Sequence, residues 1–404
     1  MPVMFSTLAG TVRAHLDAAR DEMVRLLCDL AALESPTDDP RAVAVLLDRL
    51  AAEFENSGLR TRRVPGVRSA GLLIATPRQR RRGRPLQLVV GHCDTVWPVG
   101  TVGRMPVTIA ADLVRGPGVF DMKGGIVQMI FALRAIHAAG VELPATPVAV
   151  ISSDEETGSH ESRRTIARLA RRAARAFVFE PAFGPEGHLK TARKAVGEFT
   201  IVVRGRAAHA GLDPAGGASA VLELSHQIQR LFALNDHAAG VSVNVGTIDG
   251  GLRSNVVAPE VRATVDVRAP STADVVRLDA ALRGLTPVTP GTSIEVSGAF
   301  HHPPLERTPR NRALWQQARD LGCALGLPLR EASVGGASDG NTISQYTATL
   351  DGLGAVGDGA HADHEHVWIS SLPERAALVA MLLAAPLADA AAPPHAAAED
   401  RCLP

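Results

Sequence analysis

Four continuous apolar runs of strand length set the first constraint on this chain: "LLIAT" (72–76), "LQLVVG" (86–91), "VAVIS" (148–152) and "AFVFE" (176–180). A strand apolar at every position is covered on both faces, and the covering layers are helices. Helical stretches fall between and around these runs, at roughly 8–33, 124–138 and 159–173. Another is sharply punctuated: Asp39 stands as N-cap, Pro40 at the first helical position and Gly58 just past the end. The alternation predicts an α/β layered domain.

Near residue 190 the pattern changes. Strands at 198–205, 241–248, 260–269 and 292–298 and helices at 217–234 and 271–284 follow the order β-α-β-β-α-β, the ferredoxin-like arrangement. In the third of these strands Val261, Ala263, Val265 and Val267 share one face, while Arg262, Thr264, Asp266 and Arg268 share the other. That sheet therefore has one open side. After about residue 300 the α/β pattern resumes, with a helix near 309–325, strands near 329–334 and 347–353 and a helix near 371–386. A chain of 404 residues is too long for one core. The predicted division is a discontinuous catalytic domain, 1–190 with 300–388, an inserted domain, 191–299, and an Ala/Pro-rich tail, 389–404.

Bulk properties exclude several classes. Lys plus Arg and Asp plus Glu each number 42, so nothing favours a nucleic acid or an anionic membrane as partner. The basic cluster at 78–84 reads as a solvated loop. No apolar stretch reaches the roughly 18–20 residues of a membrane helix. The N-terminus lacks the basic start and long apolar core of a secretory signal. Cys28, Cys93, Cys323 and Cys402 are widely spaced and read as free thiols, in keeping with a cytoplasmic protein.

In α/β sheets ligands gather at the carboxyl ends of strands. The run 86–91 leads into His92 and Asp94, the run 148–152 into Glu155 and Glu156, and the run 176–179 into Glu180. Asp121 lies on the Gly-rich stretch "VRGPGVFDMKGG", and "GAHADHEHV" adds His361, Asp363, His364, Glu365 and His366. Imidazole and carboxylate without thiolate suit zinc, with manganese or cobalt as alternatives. Five ligands with one bridging carboxylate are enough for two ions. His92 and Asp94 are two apart on an extended chain, so Asp94 is expected to orient His92. Glu155 and Glu156 are adjacent and diverge, one free to ligate metal and the other to act as general base.

The segments "GHCDTVWPVG", "RGPGVFDMKGG", "SSDEETGS", "FEPA" and "GAHADHEHV", in that order, resemble the dinuclear-zinc peptidases of the aminoacylase and glutamate carboxypeptidase type. "GRAAHAG", "RSNVVAPE" and "DVRAP" resemble that family's lid and dimerisation domain. The resemblance implies that His92, Asp121 and Glu180 hold one zinc, and that Asp121, Glu156 and His361 hold the other. It further implies that Glu155 is the base acting on a water between the two ions, and that Asp94 orients His92. His209 would polarise the substrate carbonyl, from the other subunit of a homodimer. Asn255 and Arg268 would hold substrate, Arg268 through its carboxylate, and Gly336 belongs to a Gly-rich segment near that carboxylate. A cis peptide is expected at Asp121–Met122. Cys93, where bulkier residues are common, should face away from the metal. His361 is chosen over His364 and His366 because Gly-x-His followed four residues later by Glu matches the family.

The activity implied is hydrolysis of a peptide or N-acyl bond beside a free α-carboxylate. Glutamate is the first substrate expectation, and an aminoacylase of other specificity is the alternative. Two rivals come from other classes. Gly336-Ala337-Ser338-Asp339-Gly340 fits G-x-S-x-G, which would make Ser338 a serine-hydrolase nucleophile with His361 and Asp358 or Asp363. A non-enzymatic dimeric binding protein is the other.

Overall fold

The computed structural model describes residues 2–79 and 83–387. Two compact units emerge. One comprises Met1–Thr191, Arg307–Ser333 and Ser338–Pro404, the other Ala192–Glu306 and Val334–Ala337. The inserted unit thus runs past the expected end at 299 and takes back a short return segment around Gly336.

The larger unit is built on a six-stranded sheet in the order Leu59–Val64, Leu72–Pro77, Thr146–Ser152, Leu86–His92, Ala173–Val178 and Ala348–Leu350. The strands from Thr146–Ser152 through Ala348–Leu350 run parallel, and the first two pair antiparallel. Every residue of Leu86–His92 and Thr146–Ser152 is buried, which accounts for their mainly apolar sequence. The helix Gly124–Ala138 is apolar around most of its circumference, and twelve of its fifteen residues are buried. It packs with the helix Ser371–Ala384 in a core that includes Phe54, Phe131 and Phe177. Asp39 caps the helix Pro40–Asn56 by accepting from the amides of Arg41 and Ala42, as the punctuation predicts. The long first helix is in fact two, Pro2–Ala18 and Arg20–Ala32, broken at Ala19 where no Gly or Pro marks the bend.

A second, small sheet orders Gly357–Asp358, His366–Trp368, Leu113–Arg115 and Thr108–Ala110 side by side. Its strands are two or three residues long, too short to show a period. Its effect is local: it holds the segment carrying His361 beside the loop carrying Asp121.

The inserted unit pairs Ser242–Gly250, Glu260–Ala269, Ala195–Arg204 and Ser293–His302 in that order, all antiparallel. The helices Ala220–Phe232 and Thr272–Arg283 close one face over Phe199, Ile201, Val203, Val261, Ala263, Val265 and Val267. Connection and order are those of the ferredoxin-like arrangement.

Cys28 and Cys93 are free thiols. Cys323 is disulfide-bonded, which corrects the expectation of a free thiol there. Cys402 and the tail 389–404 lie outside the described residues, as do residues 80–82 of the basic cluster. Among the described residues no helix is long and apolar enough to cross a membrane.

Candidate metal centre

Three parallel strands deliver three of the predicted ligands. His92 closes Leu86–His92, Glu156 follows Thr146–Ser152, and Glu180 follows Ala173–Val178. The chain at Glu180 is held by close backbone packing. A Cβ on Gly354 would come within 2.1 Å of the Phe179 carbonyl oxygen, and one on Gly125 within 2.2 Å, so neither position tolerates a side chain. Asp121 sits just before the helix Gly124–Ala138, and its peptide bond to Met122 is cis. His361 takes a left-handed backbone, φ +61°, which a residue with a Cβ adopts at a cost.

These side chains form two groups that share Asp121. Ligand atoms of His92, Asp121 and Glu180 lie within 4.8 Å of one another, and so do those of Asp121, Glu156 and His361. His92 Nε2 is 3.1 Å from Asp121 Oδ1 and 3.6 Å from Glu180 Oε1. His361 Nε2 is 3.5 Å from Asp121 Oδ2 and 3.2 Å from Glu156 Oε2. His92 Nδ1 lies 3.0 Å from the main-chain oxygen of Asp94. A carbonyl only accepts, so Nδ1 carries a proton, and in the neutral ring Nε2 turns its lone pair toward Asp121 and Glu180.

The electrostatics ask for cations. Burial pushes Glu155 and Glu156 above the usual carboxylate range, Glu155 further through the charge of Glu180. Burial opposes the charge of Asp121, yet hydrogen bonds from His361 and His92 hold it well below that range. His361 is pushed up to about 10 by its bonds to Asp121 and Glu156. Burial opposes protonation of His92, but the neighbouring Asp121, Asp94 and Glu155 raise it well above its ordinary value. Protonated imidazoles here stand where divalent ions relieve the same repulsion. Glu156 Oε1 is buried with no hydrogen-bond partner, an acceptor left for an ion. With only imidazole and carboxylate donors, the set fits hard or borderline divalent metals.

Glu155 belongs to neither ligand group, but its Oε2 lies 3.9 Å from His92 Nε2. Asp94 lies beside His92 and serves the neighbouring turn as well. Its main chain meets His92, while its carboxylate, 3.5 Å from Nδ1, accepts the amides of Glu155 and Glu156 and the hydroxyl of Thr37. Cys93 is fully buried in the hydrophobic core and belongs to neither ligand group.

Three acceptors behind the site were not legible as such. Glu365 takes hydrogen bonds from the amides of Gly118, Phe120 and Asp121 and from the Trp97 indole. Asp339 accepts from Ser152 Oγ at 3.0 Å and Ser159 Oγ at 2.6 Å, bracketing the turn that carries Glu155 and Glu156; burial pushes its pKa up to about 6. Asp154 accepts the amides of Glu161 and Ser162 within the same turn. Each pairs residues far apart in sequence or serves a main-chain donor, and neither leaves a spacing signal.

Ser338 is not a nucleophile in waiting. It is fully buried, caps the short helix Asp339–Ile343 in a reciprocal box with Asn341, and donates to Asp351 Oδ2 at 2.6 Å. The G-x-S-x-G match is therefore a helix cap. His364 and His366 belong to neither ligand group.

Within the inserted unit, His209 is exposed and its Nδ1 accepts the amides of Gly211 and Leu212, both at 3.1 Å. A neutral His209 thus carries its proton on Nε2. His209 forms an isolated β-bridge with Val256, and the Asn255 carbonyl accepts from Ala210, so these two segments are neighbours. Arg268 lies on the open face, where Asp266 binds its Nε and Nη2 edge at 2.8–3.1 Å. Gly336 is exposed, and its carbonyl accepts from Arg193.

The pattern of peptidase family M20/M25/M40 matches residues 88–385. Carboxypeptidase G2 of Pseudomonas sp. (strain RS-16) is 28% identical over 403 residues, covering 93% of this chain and 94% of that protein. Succinyl-diaminopimelate desuccinylase of Xanthomonas oryzae pv. oryzae is 26% identical over 383 residues, covering 90% and 98%. The aminopeptidase PepT structure from Bacillus cereus superposes with a TM-score of 0.74 at 21% identity, covering 90% of this chain and 98% of that one. A match across most of the chain, over a fold and a cluster of ligand-type side chains that agree with it, makes this protein a member of peptidase family M20/M25/M40 and a metal-dependent hydrolase.

Proposed function

We propose that the protein hydrolyses an amide bond next to a free α-carboxylate and releases glutamate from a peptide or an N-acyl conjugate. The observation that carries this reading is Glu155, a largely buried carboxylate at the edge of two ligand groups and outside both. Two zinc ions are the assigned metals, one on His92, Asp121 and Glu180, the other on Asp121, Glu156 and His361. When bound, they supply Lewis acidity and a nucleophile at neutral pH.

The chain's own groups do the rest. Glu155 Oε2 takes the proton of the attacking water and returns it to the departing amine. Its raised pKa, set first by burial and then by Glu180, suits both halves of that task. Asp94 holds the base in place through its main-chain amide. His209, with its proton on Nε2, is a donor for the substrate carbonyl oxygen as charge develops there. Arg268 is assigned to the α-carboxylate. Asp266 occupies its Nε edge, so a two-point grip falls to the Nη1/Nη2 edge. Asn255 and Gly336 complete the substrate residues. The reading extends to a homodimer, with His209 serving the site of a second copy, and to a cytoplasmic setting. The free thiols of Cys28 and Cys93 support that setting, and the bonded Cys323 counts against it.

Cleavage beside a free C-terminal carboxylate is supported by the likeness to carboxypeptidase G2. The likeness to a desuccinylase favours a second reading, removal of an acyl group from a different amino acid. A panel of N-acyl and dipeptide substrates ending in glutamate, alanine or phenylalanine, each also as its C-terminal amide, separates them. The proposal expects the glutamate acids to be fastest and the amides to be inert. Amides cut as fast as acids would remove Arg268 from its role and the α-carboxylate from the reading.

A further inference from the structure

We infer that Glu365 is a positioning residue for the metal pair: its carboxylate sets the spacing between Asp121 and His361, and through it the affinity of the ion those two residues share. The inference rests on the two-ion reading above and deepens it.

Glu365 is fully buried. Its Oε1 accepts from Phe120 N at 2.9 Å and Asp121 N at 3.0 Å, and its Oε2 from Gly118 N and Trp97 Nε1, both at 2.9 Å. Four N–H donors therefore converge on two oxygens. Only an ionised carboxylate accepts at all of these positions; a glutamine would turn its own NH2 against one pair of donors. One of the four is the amide of Asp121 itself, the residue common to both ligand groups.

The main chain of Glu365 ties the other side. Its carbonyl accepts from Gly116 N at 3.3 Å, and its N–H donates to Ala362 O at 2.9 Å, closing a turn that directly follows the one carrying His361, which Ala362 N closes on Gly359 O at 2.9 Å. His361 needs that support. Its imidazole is half exposed, its backbone is left-handed, and its polar contacts are Asp121 and Glu156. Among the described residues no further hydrogen bond or ion pair to the ring fixes its distance from Asp121. The brace that does is the Glu365 carboxylate, which grips the 118–121 segment while the residue's backbone anchors the 359–365 turn.

The test uses zinc alone as probe. Chelated wild type, E365Q and W97F are brought to equilibrium with zinc by dialysis, and ions per chain and affinities are read. Far-UV circular dichroism and the unfolding midpoint are recorded beside them. The wild type is expected to bind two ions. E365Q should keep one at wild-type affinity and lose about 10–100-fold for the other. W97F, which removes one donor of four, should weaken the same ion by a smaller factor. Unchanged affinity for both ions in both variants, even with a lower unfolding midpoint, would reduce Glu365 to a structural brace and overturn the inference. Should E365Q fail to fold, W97F decides alone: an unchanged second affinity overturns it. A wild type that takes up fewer than two ions removes the two-ion reading, before any substitution is considered, and this inference with it.

Discussion

Asp94 binds the main chain of Glu155: its Oδ1 accepts the Glu155 amide at 3.3 Å, while Oδ2 accepts that of Glu156 at 3.2 Å. One carboxylate thus fixes the turn that carries both a metal-ligand candidate and the assigned base. Asp94→Ala should lower kcat by about 10–100-fold, the usual cost of losing such outer support. It should do so with the zinc content of the His92 and Glu180 side kept, because His92 meets Asp94 through the carbonyl, which alanine retains. Steady-state kinetics with metal analysis on the same sample checks this; loss of that ion would return the carboxylate to the role of orienting His92.

Glu155→Gln removes the base and leaves both ligand groups untouched. Turnover should fall by about 10²–10⁴-fold with zinc stoichiometry unchanged. Retained turnover in a fully metallated variant would end the assignment of Glu155.

The two ligand groups predict separable losses. His361→Ala should bind one ion fewer and keep the ion of His92 and Glu180, whereas Glu180→Ala should do the reverse. Asp121→Ala, removing the shared carboxylate, should weaken both. Zinc titration of the three variants measures this. Identical stoichiometry in His361→Ala and wild type would pass the ligand role to a neighbour such as His364.

Stability should depend on pH through Glu161. Its carboxylate accepts from the amides of Val67, Arg68 and Ser69 and from the Ser69 hydroxyl. Burial works against its charge, yet these bonds hold its pKa down to about 2 against an ordinary 4.5. A carboxyl depressed in the folded state stabilises above its unfolded value, and that stabilisation fades as pH falls from 4.5 through 2. Glu161→Gln should cost about 1–2 kcal/mol at pH 7. The gap to wild type should close toward pH 2, as read by urea unfolding at a series of pH values. A gap that is constant with pH would mean the effect is steric.

Much of this was legible because burial and chemistry leave marks in sequence. Strands covered on both faces cannot hide their apolar runs, and the candidate ligands His92, Glu156 and Glu180 stand just beyond three of them. The cap at Asp39 and the β-α-β-β-α-β order were readable for the same reason. The bend at Ala19 was not, because packing makes it and no helix-breaking residue marks it. The small sheet beside His361 was missed because its strands are too short to carry a period. The further contacts of the Asp94 carboxylate were not legible, because an i, i+2 spacing shows which side chains share a face, not which main-chain amides approach from another strand. Ser338 was over-read: a helix cap and a nucleophile elbow both want a serine followed by small residues, and only its burial and its bond to Asp351 tell them apart.

The most direct measurement is hydrolysis of an N-acyl glutamate by enzyme stripped with chelator and titrated back with zinc. The account predicts no turnover in the stripped protein, and recovery that reaches its plateau at two ions per chain. Turnover that survives complete removal of metal would contradict it.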